Sequence, residues 1–295
     1  MTIARFLPPS RRPDEVVACV GLVSDTHYPL RCETLPPALF EILNGVDLLL
    51  HAGDVGELEV LDRLGTIAPI VAVHGNDEES TAQSTLPYQQ VIAYKGRRIL
   101  LWHSHYPNRQ EELASRVDDA MVPKFQRSID RAHAAGATIA VFGHWHIPLI
   151  YEQAGVTVIN PGAIASGNFF TRQLLKSVAL LYLFDDESHA VTHVDLAAPT
   201  APFVAYQQWP ASFQATLARF SEPIITDELE QRLQKIRSSL SDEARNALIM
   251  RFLPLARLCW RGERTVIGTD EVLVHLESDN RLSPAVSKEL QTLLC

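Results

Sequence analysis

The chain has 295 residues, of which 46% are hydrophobic and 21% are charged, and its formal net charge at pH 7 is −9. This composition is that of a globular protein with a sizeable core, and it excludes the disordered and fibrous classes. The acidic balance argues against nucleic acid or an anionic membrane surface as a partner, because both attract basic proteins.

The cysteines and the first fifteen residues bear on the cellular compartment of the protein. The four cysteines are scattered and form no Cys-x-x-Cys pair, which is typical of a reducing compartment. Residues 1–15 are basic and contain prolines but lack the apolar segment of a signal peptide, so they are predicted to be a flexible tail. No run approaches the ~20 apolar residues of a membrane helix. We therefore expect a soluble cytoplasmic protein.

Three buried strands alternate with helices in the first part of the chain. The apolar runs Val16–Ser24, Val46–His51 and Pro69–His74 are typical of strands that are buried on both faces. Helices are predicted between them, at 36–43 and 57–64. This order matches right-handed βαβ crossovers, so the three strands are predicted to be parallel in one sheet.

A β-hairpin and a second set of strands follow. Tyr88–Tyr94 and Arg97–Trp102 flank a Lys-Gly turn and predict the hairpin, and Met121–Ala135 has a helical pattern. Further strands are predicted at 138–142, 156–159, 178–184 and 189–194. We expect an α/β fold in which two packed mixed β-sheets, assigned to residues 16–196, are flanked by helices.

The last third of the chain changes to helical patterns. Residues 197–210 contain three prolines and are the predicted linker to a helical C-terminal extension at 211–295. Helices are predicted at 213–220, 227–240 and 242–258 and from Ser283-Pro284 onward, with Ser241 as the N-cap of the third. The extension carries no chemical motif, and we expect it to cap a site, restrict substrates or form a homo-oligomer contact.

Five predicted strands end in polar clusters. These clusters are Asp25-Thr26-His27, Gly53-Asp54, Gly75-Asn76, His103-Ser104-His105 and Gly143-His144-Trp145-His146. Because ligands of α/β sheets collect at the carboxyl ends of strands, the clusters point to one site. Oxygen and imidazole ligands are typical of sites for divalent manganese, iron, zinc or nickel. A closed structural zinc site would instead carry thiolates. The number of oxygen and imidazole ligands exceeds the needs of one ion, which favours a two-metal site.

The order Asp-x-His, Gly-Asp, Gly-Asn, His, Gly-His-x-His resembles that of the calcineurin-like metallophosphoesterase superfamily over about two thirds of the chain. The short spacings and the turn Asn160-Pro161-Gly162 are most similar to its small bacterial and archaeal phosphodiesterase branch. The resemblance implies a metal-dependent phosphodiesterase for a small phosphorylated substrate. A hydroxide shared by two divalent ions would attack phosphorus, and manganese is the first expectation for the metal.

The resemblance also implies a role for each motif residue. The first ion would be bound by Asp25, His27 and His146. The second would be bound by Asn76, His103 and His144. Asp54 would bridge the two ions and position the attacking hydroxide, and Asn76 would also contact the substrate.

Several neighbouring residues depart from the family pattern or are weaker candidates. Asp77 stands where many members have a histidine that assists the leaving group, so aryl phosphodiesters are expected to react much faster than alkyl ones. Asp77 and His105 are candidates for proton transfer, and His74 and Arg109 for substrate contact. His51 lies in a buried-strand pattern and is predicted to be a hydrogen-bonded core histidine.

Two other functions stay open from the sequence. A non-catalytic scaffold of the same fold is one, because relatives that lost their metal ligands serve in this way; here every ligand position is filled, which favours an enzyme. A metal-dependent nuclease is the other, although the acidic charge and the lack of a basic groove with aromatic residues argue against it.

Overall fold

The structure, a computed structural model, describes residues 2–78, 80–205, 212–236 and 240–277. The predicted helix after Ser283-Pro284 and residues 206–210 of the predicted linker lie outside the described residues. The chain divides into two compact units, the first of Met1–Ala165 with Leu174–Phe220 and the second of Ser166–Gln173 with Ser221–Cys295. This boundary differs from the predicted one at 197–210.

Strands and helices alternate through the first unit, and helices dominate the second. The strands are β1 Val16–Val23, β2 Leu48–His51, β3 Ile70–Ala72, β4 Gln89–Tyr94, β5 Arg97–Trp102, β6 Ile139–Phe142, β7 Leu149–Gln153, β8 Val156–Asn160, β9 Thr171–Gln173, β10 Ser177–Phe184, β11 His189–Asp195, β12 Pro202–Phe203 and β13 Ser221–Pro223. The helices are α1 Pro37–Leu43, α2 Glu59–Gly65, α3 Ser80–Thr85, α4 Arg109–Val117, α5 Met121–Ala134, α6 Phe213–Leu217, α7 Asp227–Ile236, α8 Asp242–Trp260 and α9 Thr269–Glu277.

Two mixed sheets form the core of the first unit, which confirms the predicted fold class. One has the strand order β12-β11-β10-β1-β2-β3 and the other has the order β4-β5-β6-β8-β7. As predicted, β1, β2 and β3 are parallel, and β4 and β5 form an antiparallel hairpin. β5 is in turn parallel to β6. The carboxyl ends of these parallel strands deliver the motif loops.

The prediction that strands 178–184 and 189–194 join the same second set as 156–159 is wrong. β10 pairs antiparallel with β1, from Ala18 opposite Leu183 to Leu22 opposite Ala179, and β11 pairs with β10. β10 thereby covers the edge of β1 that β2 leaves open, which satisfies the backbone groups of the buried β1 on both sides.

The apolar runs of β2, β6, β10 and most of β1 are continuous because both faces of these strands are buried. Val20 and Leu22 of β1 pack with Leu101 of β5 and Val141 of β6 between the two sheets. On the opposite face, Cys19 and Val23 belong to the core beneath α1 and α2. Side chains of a strand point alternately to its two faces, so a strand covered on both sides carries no polar alternation.

Residues 2–15 do not form the predicted flexible tail. Residues Thr2–Phe6 and Pro13–Glu15 are short 3-10 helices, and Phe6 is only 1% exposed in the core beneath α1 and α2. Arg11 also donates a hydrogen bond of 2.8 Å to Asp186. The buried ring of Phe6 and the pair of Arg11 with Asp186 tie this segment to the first unit, and the sequence shows no periodicity that would have revealed them.

The second unit has its own core. β9 and β13 pair antiparallel, which explains why residues 166–173 belong to this unit. The predicted cap of α8 is present, because the Ser241 side chain accepts a hydrogen bond of 3.1 Å from the backbone N–H of Ala244. Buried residues of α7, α8 and α9, among them Leu229, Phe252 and Val272, form one apolar cluster. Among the described helices of the chain, none is long and apolar enough to cross a membrane.

His193 on β11 makes the first unit sensitive to acid. It is 1% exposed, its Nε2 lies 2.8 Å from the carbonyl of Asn160, and its Nδ1 has no hydrogen-bond partner among the described residues. Burial lowers the pKa of His193 to about 4 from its ordinary 6.5. The folded protein therefore keeps this ring neutral at a pH where the unfolded chain protonates it.

We expect His193 to reduce the free energy of unfolding as the pH falls from about 6.5 to about 4, by about 3 kcal/mol in total. The unfolded chain takes up a proton in this window that the folded protein does not. Urea unfolding of metal-free protein at several pH values measures the loss. In His193→Gln, whose amide can still donate to Asn160, the decline should be shallower by this amount; equal declines in both proteins would contradict the assignment.

Candidate metal centre

Loops from both sheets meet in one buried cluster at the carboxyl ends of the parallel strands. The loop after β6 reaches the loop after β1, where the backbone N–H of His144 donates to both carboxylate oxygens of Asp25, at 3.2 and 3.1 Å. The ring of His103, which follows β5, reaches the loop after β2 with its Nδ1 2.7 Å from the carbonyl of Ala52. The sequence-predicted convergence of these strand ends is therefore present.

In the described part of the chain, three groups of side chains each place their ligand atoms within 4.8 Å of one another, and the third, His27, Asp54 and Asp77, overlaps the other two. The first is Asp25, His27 and His146, and the second is Asp54, His103 and His144. In the first, Nε2 of His146 lies 3.1 Å from Oδ1 of Asp25, and the rings of His27 and His146 stack at 5.6 Å. The first and second groups have the donor count and chemistry that a divalent ion needs from a protein.

One oxygen of Asp54 lies between the two groups. Its Oδ2 is 3.3 Å from Nε2 of His103 in the second group and 3.6 Å from Nε2 of His27 in the first. The other oxygen, Oδ1, accepts a hydrogen bond of 2.9 Å from the backbone N–H of Asp77. The carboxylate is thus oriented by the backbone on one side and faces both histidines with the other.

Three buried side-chain atoms on the motif loops have no hydrogen-bond partner among the described residues. They are Nε2 of His27, Nε2 of His103 and Oδ1 of Asn76. An unpaired buried polar atom costs about 1–3 kcal/mol, so three at one place require an explanation. A cation could take all three as ligands: Oδ1 of Asn76 through a lone pair that it already has, and Nε2 of His27 and of His103 once the proton that each carries in the metal-free protein is displaced. The residues present therefore fit a metal centre.

Backbone carbonyls hold the tautomers of two histidines. Nδ1 of His103 contacts the carbonyl of Ala52 at 2.7 Å, and Nδ1 of His146 contacts that of Ala165 at 3.1 Å. A carbonyl only accepts, so each Nδ1 carries a proton and each Nε2 is the ring nitrogen that faces the cluster and would bind a cation.

Charge in the cluster is balanced by its own groups. Burial opposes ionisation of Asp54, but His103 and His27 outweigh it and lower the pKa of the carboxyl well below its usual range. Burial likewise opposes charge on His103, but Asp54 and Asp25 outweigh it and raise the pKa of His103 to about 9. In the metal-free protein the His103 imidazolium supplies positive charge that a bound cation would replace.

The backbone at five of the predicted ligands lies in the left-handed region. The φ angles are +54° at Asp25, +44° at His27, +51° at Asp54, +72° at His144 and +58° at His146. Each non-glycine residue in this region costs of the order of 1–3 kcal/mol, and such residues cluster at functional sites. The tight turns that result aim all five side chains into the same cluster.

The motif glycines permit close approach between the loops. A Cβ on Gly75 would overlap Oδ1 of Asp54, and one on Gly143 would overlap Oγ of Ser24 and lie 2.5 Å from the carbonyl of Ala52. Any side chain at either position would push apart two loops that carry predicted ligands.

Glu112 and Arg31 contact cluster histidines and were not found from the sequence. Oε1 of Glu112, which is 6% exposed on α4, lies 3.0 Å from Nε2 of His144, so Nδ1 is the ring nitrogen that remains as a ligand atom. Nη2 of the buried Arg31 lies 2.7 Å from Nδ1 of His27. Helix α4 was not predicted, and an arginine four residues after His27 carries no pattern that would single it out.

The other predicted site residues differ in whether they contact the cluster. Asp77 lies at the edge of the cluster, half exposed, and forms an ion pair with Arg31. His105 packs on His103 at 5.5 Å and on His74 at 5.5 Å, and burial with the neighbouring histidines lowers its pKa to about 3, so its ring is neutral. Arg109 is exposed at the first residue of α4, and no contact among the described residues brings it to the cluster.

Two predicted polar residues support the cluster from behind. Nε2 of the buried His51 pairs with Oγ1 of Thr26 at 3.0 Å, between the first two motif loops. Asn160 donates from Nδ2 to the carbonyl of Gly143 at 2.9 Å and accepts from the N–H of Gly162, also at 2.9 Å. The Asn-Pro-Gly turn therefore holds the loop that carries His144 and His146.

Comparison with known proteins identifies the family. Residues 19–186 match the calcineurin-like phosphoesterase superfamily domain. A probable metallophosphoesterase of Methanothermobacter thermautotrophicus is 31% identical over 144 residues, 49% of this chain and 76% of that protein. A second one, from Methanocaldococcus jannaschii, is 30% identical over 146 residues, 49% of this chain and 67% of that protein.

Vacuolar protein sorting 29 of Cryptosporidium parvum is 18% identical and superposes with a TM-score of 0.47, over 60% of this chain and 97% of that one. The family match spans more than half of the chain and includes the loops of all seven predicted ligands. The chain belongs to the calcineurin-like phosphoesterase superfamily.

Proposed function

We propose that the chain is a phosphodiesterase that uses two divalent ions to hydrolyse a small phosphorylated substrate. The observation that carries the proposal is the position of Oδ2 of Asp54, 3.3 Å from His103 of one donor group and 3.6 Å from His27 of the other. A carboxylate placed between two groups of ligands is what a pair of neighbouring cations requires as a shared ligand.

Seven side chains would hold the ions. The first ion would be held by Asp25, His27 and His146, and the second by Asn76, His103 and His144, with Asp54 shared between them. Manganese is the first expectation, and iron, zinc and nickel suit the same donors. When bound, two such cations lower the pKa of a shared water and neutralise charge on phosphoryl oxygens.

The chain itself contributes orientation and charge. The Ala52 and Ala165 carbonyls fix the rings of His103 and His146, and the N–H of Asp77 fixes the carboxylate of Asp54. Donors held in this way need little reorganisation when charge develops on a substrate.

The charge around the cluster supports a diester over a monoester. Among the described residues, Arg31 is the guanidinium that contacts a cluster histidine, and Asp77 already pairs with it. A phosphodiester carries one negative charge, whereas a monoester carries nearly two at neutral pH and needs more cationic partners. A site whose guanidinium is already paired with a carboxylate is better matched to the diester.

A substrate panel tests the proposal. Metal-free protein is reloaded separately with Mn²⁺, Fe²⁺, Zn²⁺ and Ni²⁺ and assayed on matched aryl monoesters and diesters, on small alkyl diesters and on single-stranded DNA at low salt. We expect metal-dependent hydrolysis of the aryl diesters, above that of the monoesters, and no cleavage of DNA. Absence of turnover with every metal in a folded, metal-loaded protein would contradict the proposal and favour the scaffold.

A further inference from the structure

We infer that two carboxylates, Glu78 and Glu112, are positioning residues that preorganise the binding site of the second ion. Each carboxylate accepts hydrogen bonds from two motif loops. Glu78 contacts the backbone beside Asp54 and Asn76, and Glu112 contacts the backbone near His103 and the side chain of His144. Asn76, His103 and His144 are the ligands assigned above to the second ion alone, and Asp54 is shared with the first, so the inference rests on the proposed two-ion function.

Glu78 joins the loop after β2 to the loop after β3. Its Oε1 accepts from the backbone N–H of Val55 at 2.7 Å and of Gly75 at 3.2 Å, and its Oε2 accepts from that of Gly56 at 2.9 Å. Val55 and Gly56 directly follow Asp54, and Gly75 directly precedes Asn76. A carboxylate that accepts three backbone hydrogen bonds sets the separation of Asp54 and Asn76.

Glu112 joins the loop after β5 to the loop after β6. Its Oε2 accepts from the backbone N–H of Tyr106 at 3.0 Å, three residues beyond His103, and its Oε1 accepts from Nε2 of His144 at 3.0 Å. Arg116 donates to the same Oε1 at 2.9 Å from the next turn of α4. The carboxylate is buried, so these bonds fix the plane of the His144 ring.

The ligands assigned to the first ion are held by other groups. Asp25 accepts from the hydroxyl of Ser24 at 2.6 Å, His146 contacts the carbonyl of Ala165 at 3.1 Å, and His27 contacts Arg31 at 2.7 Å. Neither Glu78 nor Glu112 has a hydrogen bond to these three ligands in the described part of the chain. Loss of Glu112 should therefore weaken the second ion selectively, and loss of Glu78 should weaken the second ion more than the first, which it reaches only through the shared Asp54.

Glutamine is the matched substitution at both positions. It keeps the volume but replaces one acceptor oxygen with a donating amide. At Glu112 the amide must face either the N–H of Tyr106 or Nε2 of His144, and at Glu78 it must face at least one of the three backbone N–H groups. One of these hydrogen bonds is therefore lost in either orientation of the amide. Glu111→Gln removes the same charge from an exposed neighbour of Glu112 and is the control.

The test is a manganese titration of the metal-free full chain, followed by calorimetry and by electron paramagnetic resonance, which separates isolated from coupled ions. In both Glu112→Gln and Glu78→Gln we expect the second ion to bind about 10- to 100-fold more weakly. The first ion should bind as in the wild type in Glu112→Gln and should be weakened less than the second in Glu78→Gln. Glu111→Gln should match the wild type in both steps. Thermal unfolding of the metal-free variants checks that each is folded. If Glu78→Gln is unfolded, the result for Glu112→Gln decides the test.

Three results would overturn the inference. Wild-type affinity for the second ion in a folded Glu112→Gln would show that the hydrogen bonds of the Glu112 carboxylate are not needed for binding of that ion. Equal weakening of both ions would show a general effect on the fold. A wild type that itself binds one ion would contradict the proposed two-ion function and this inference together, whereas the first two results contradict the inference alone.

Discussion

Replacement of Asp54 by asparagine should reduce phosphodiester hydrolysis by about 10³-fold or more, which corresponds to about 4 kcal/mol of transition-state stabilisation. The amide oxygen of asparagine would take the place of Oδ1, because this atom must accept from the N–H of Asp77. The amide nitrogen would then replace Oδ2 and point a donor at His27 and His103. Nitrogen in that position cannot be shared by two cations.

The measurement is kcat/KM for an aryl diester with saturating metal. Asp62→Asn on α2 makes the same chemical change at an exposed position and should leave the rate unchanged. If Asp54→Asn is folded and keeps more than about a tenth of the wild-type rate, Asp54 is not shared between ions and the assignment fails.

The second large effect is expected at Asp77 and concerns the leaving group. Asp77 is paired with Arg31, which holds it as a carboxylate with no proton to donate. The wild-type rate should therefore fall steeply as the leaving alcohol becomes more basic. In Asp77→His an imidazolium can donate a proton from the same edge of the cluster, and alkyl diesters should react about 10²-fold faster while aryl diesters change little.

A plot of log kcat/KM against leaving-group pKa for the wild type, Asp77→His and Asp77→Asn is the measurement. Asparagine also breaks the pair with Arg31 but supplies no acid, so its slope should stay as steep as that of the wild type. Identical slopes in the histidine and asparagine variants would show that position 77 does not reach the leaving group. A shallow wild-type slope would point to another acid.

The strand-end motifs could be predicted because they combine two independent signals. Long apolar runs such as that of β1 report burial on both faces, and Asp, Asn and His directly after them report chemistry at one edge of the sheets. The convergence of Asp25, Asp54, His103 and His144 follows from the parallel order of the strands. The cluster can therefore be predicted from the order of the motifs along the chain.

Other features depend on tertiary contacts that leave no local pattern. Glu111 and Glu112 are adjacent and chemically identical in the sequence, yet only Glu112 turns inward to His144. The left-handed backbone at Asp25 and His146 is imposed by the packing of the loops, since neither residue type demands it. The pairing of β10 with β1 was also missed, because an apolar run reports burial but does not name its neighbour.

The most direct test of the account is the number of metal ions bound per chain by the wild type and by Asp54→Asn after manganese loading and removal of excess metal. Elemental analysis should give about two ions per wild-type chain, with a spin-coupled resonance signal, and about one uncoupled ion in Asp54→Asn. One ion or fewer per wild-type chain, or two ions without coupling, would contradict a centre built around a shared carboxylate.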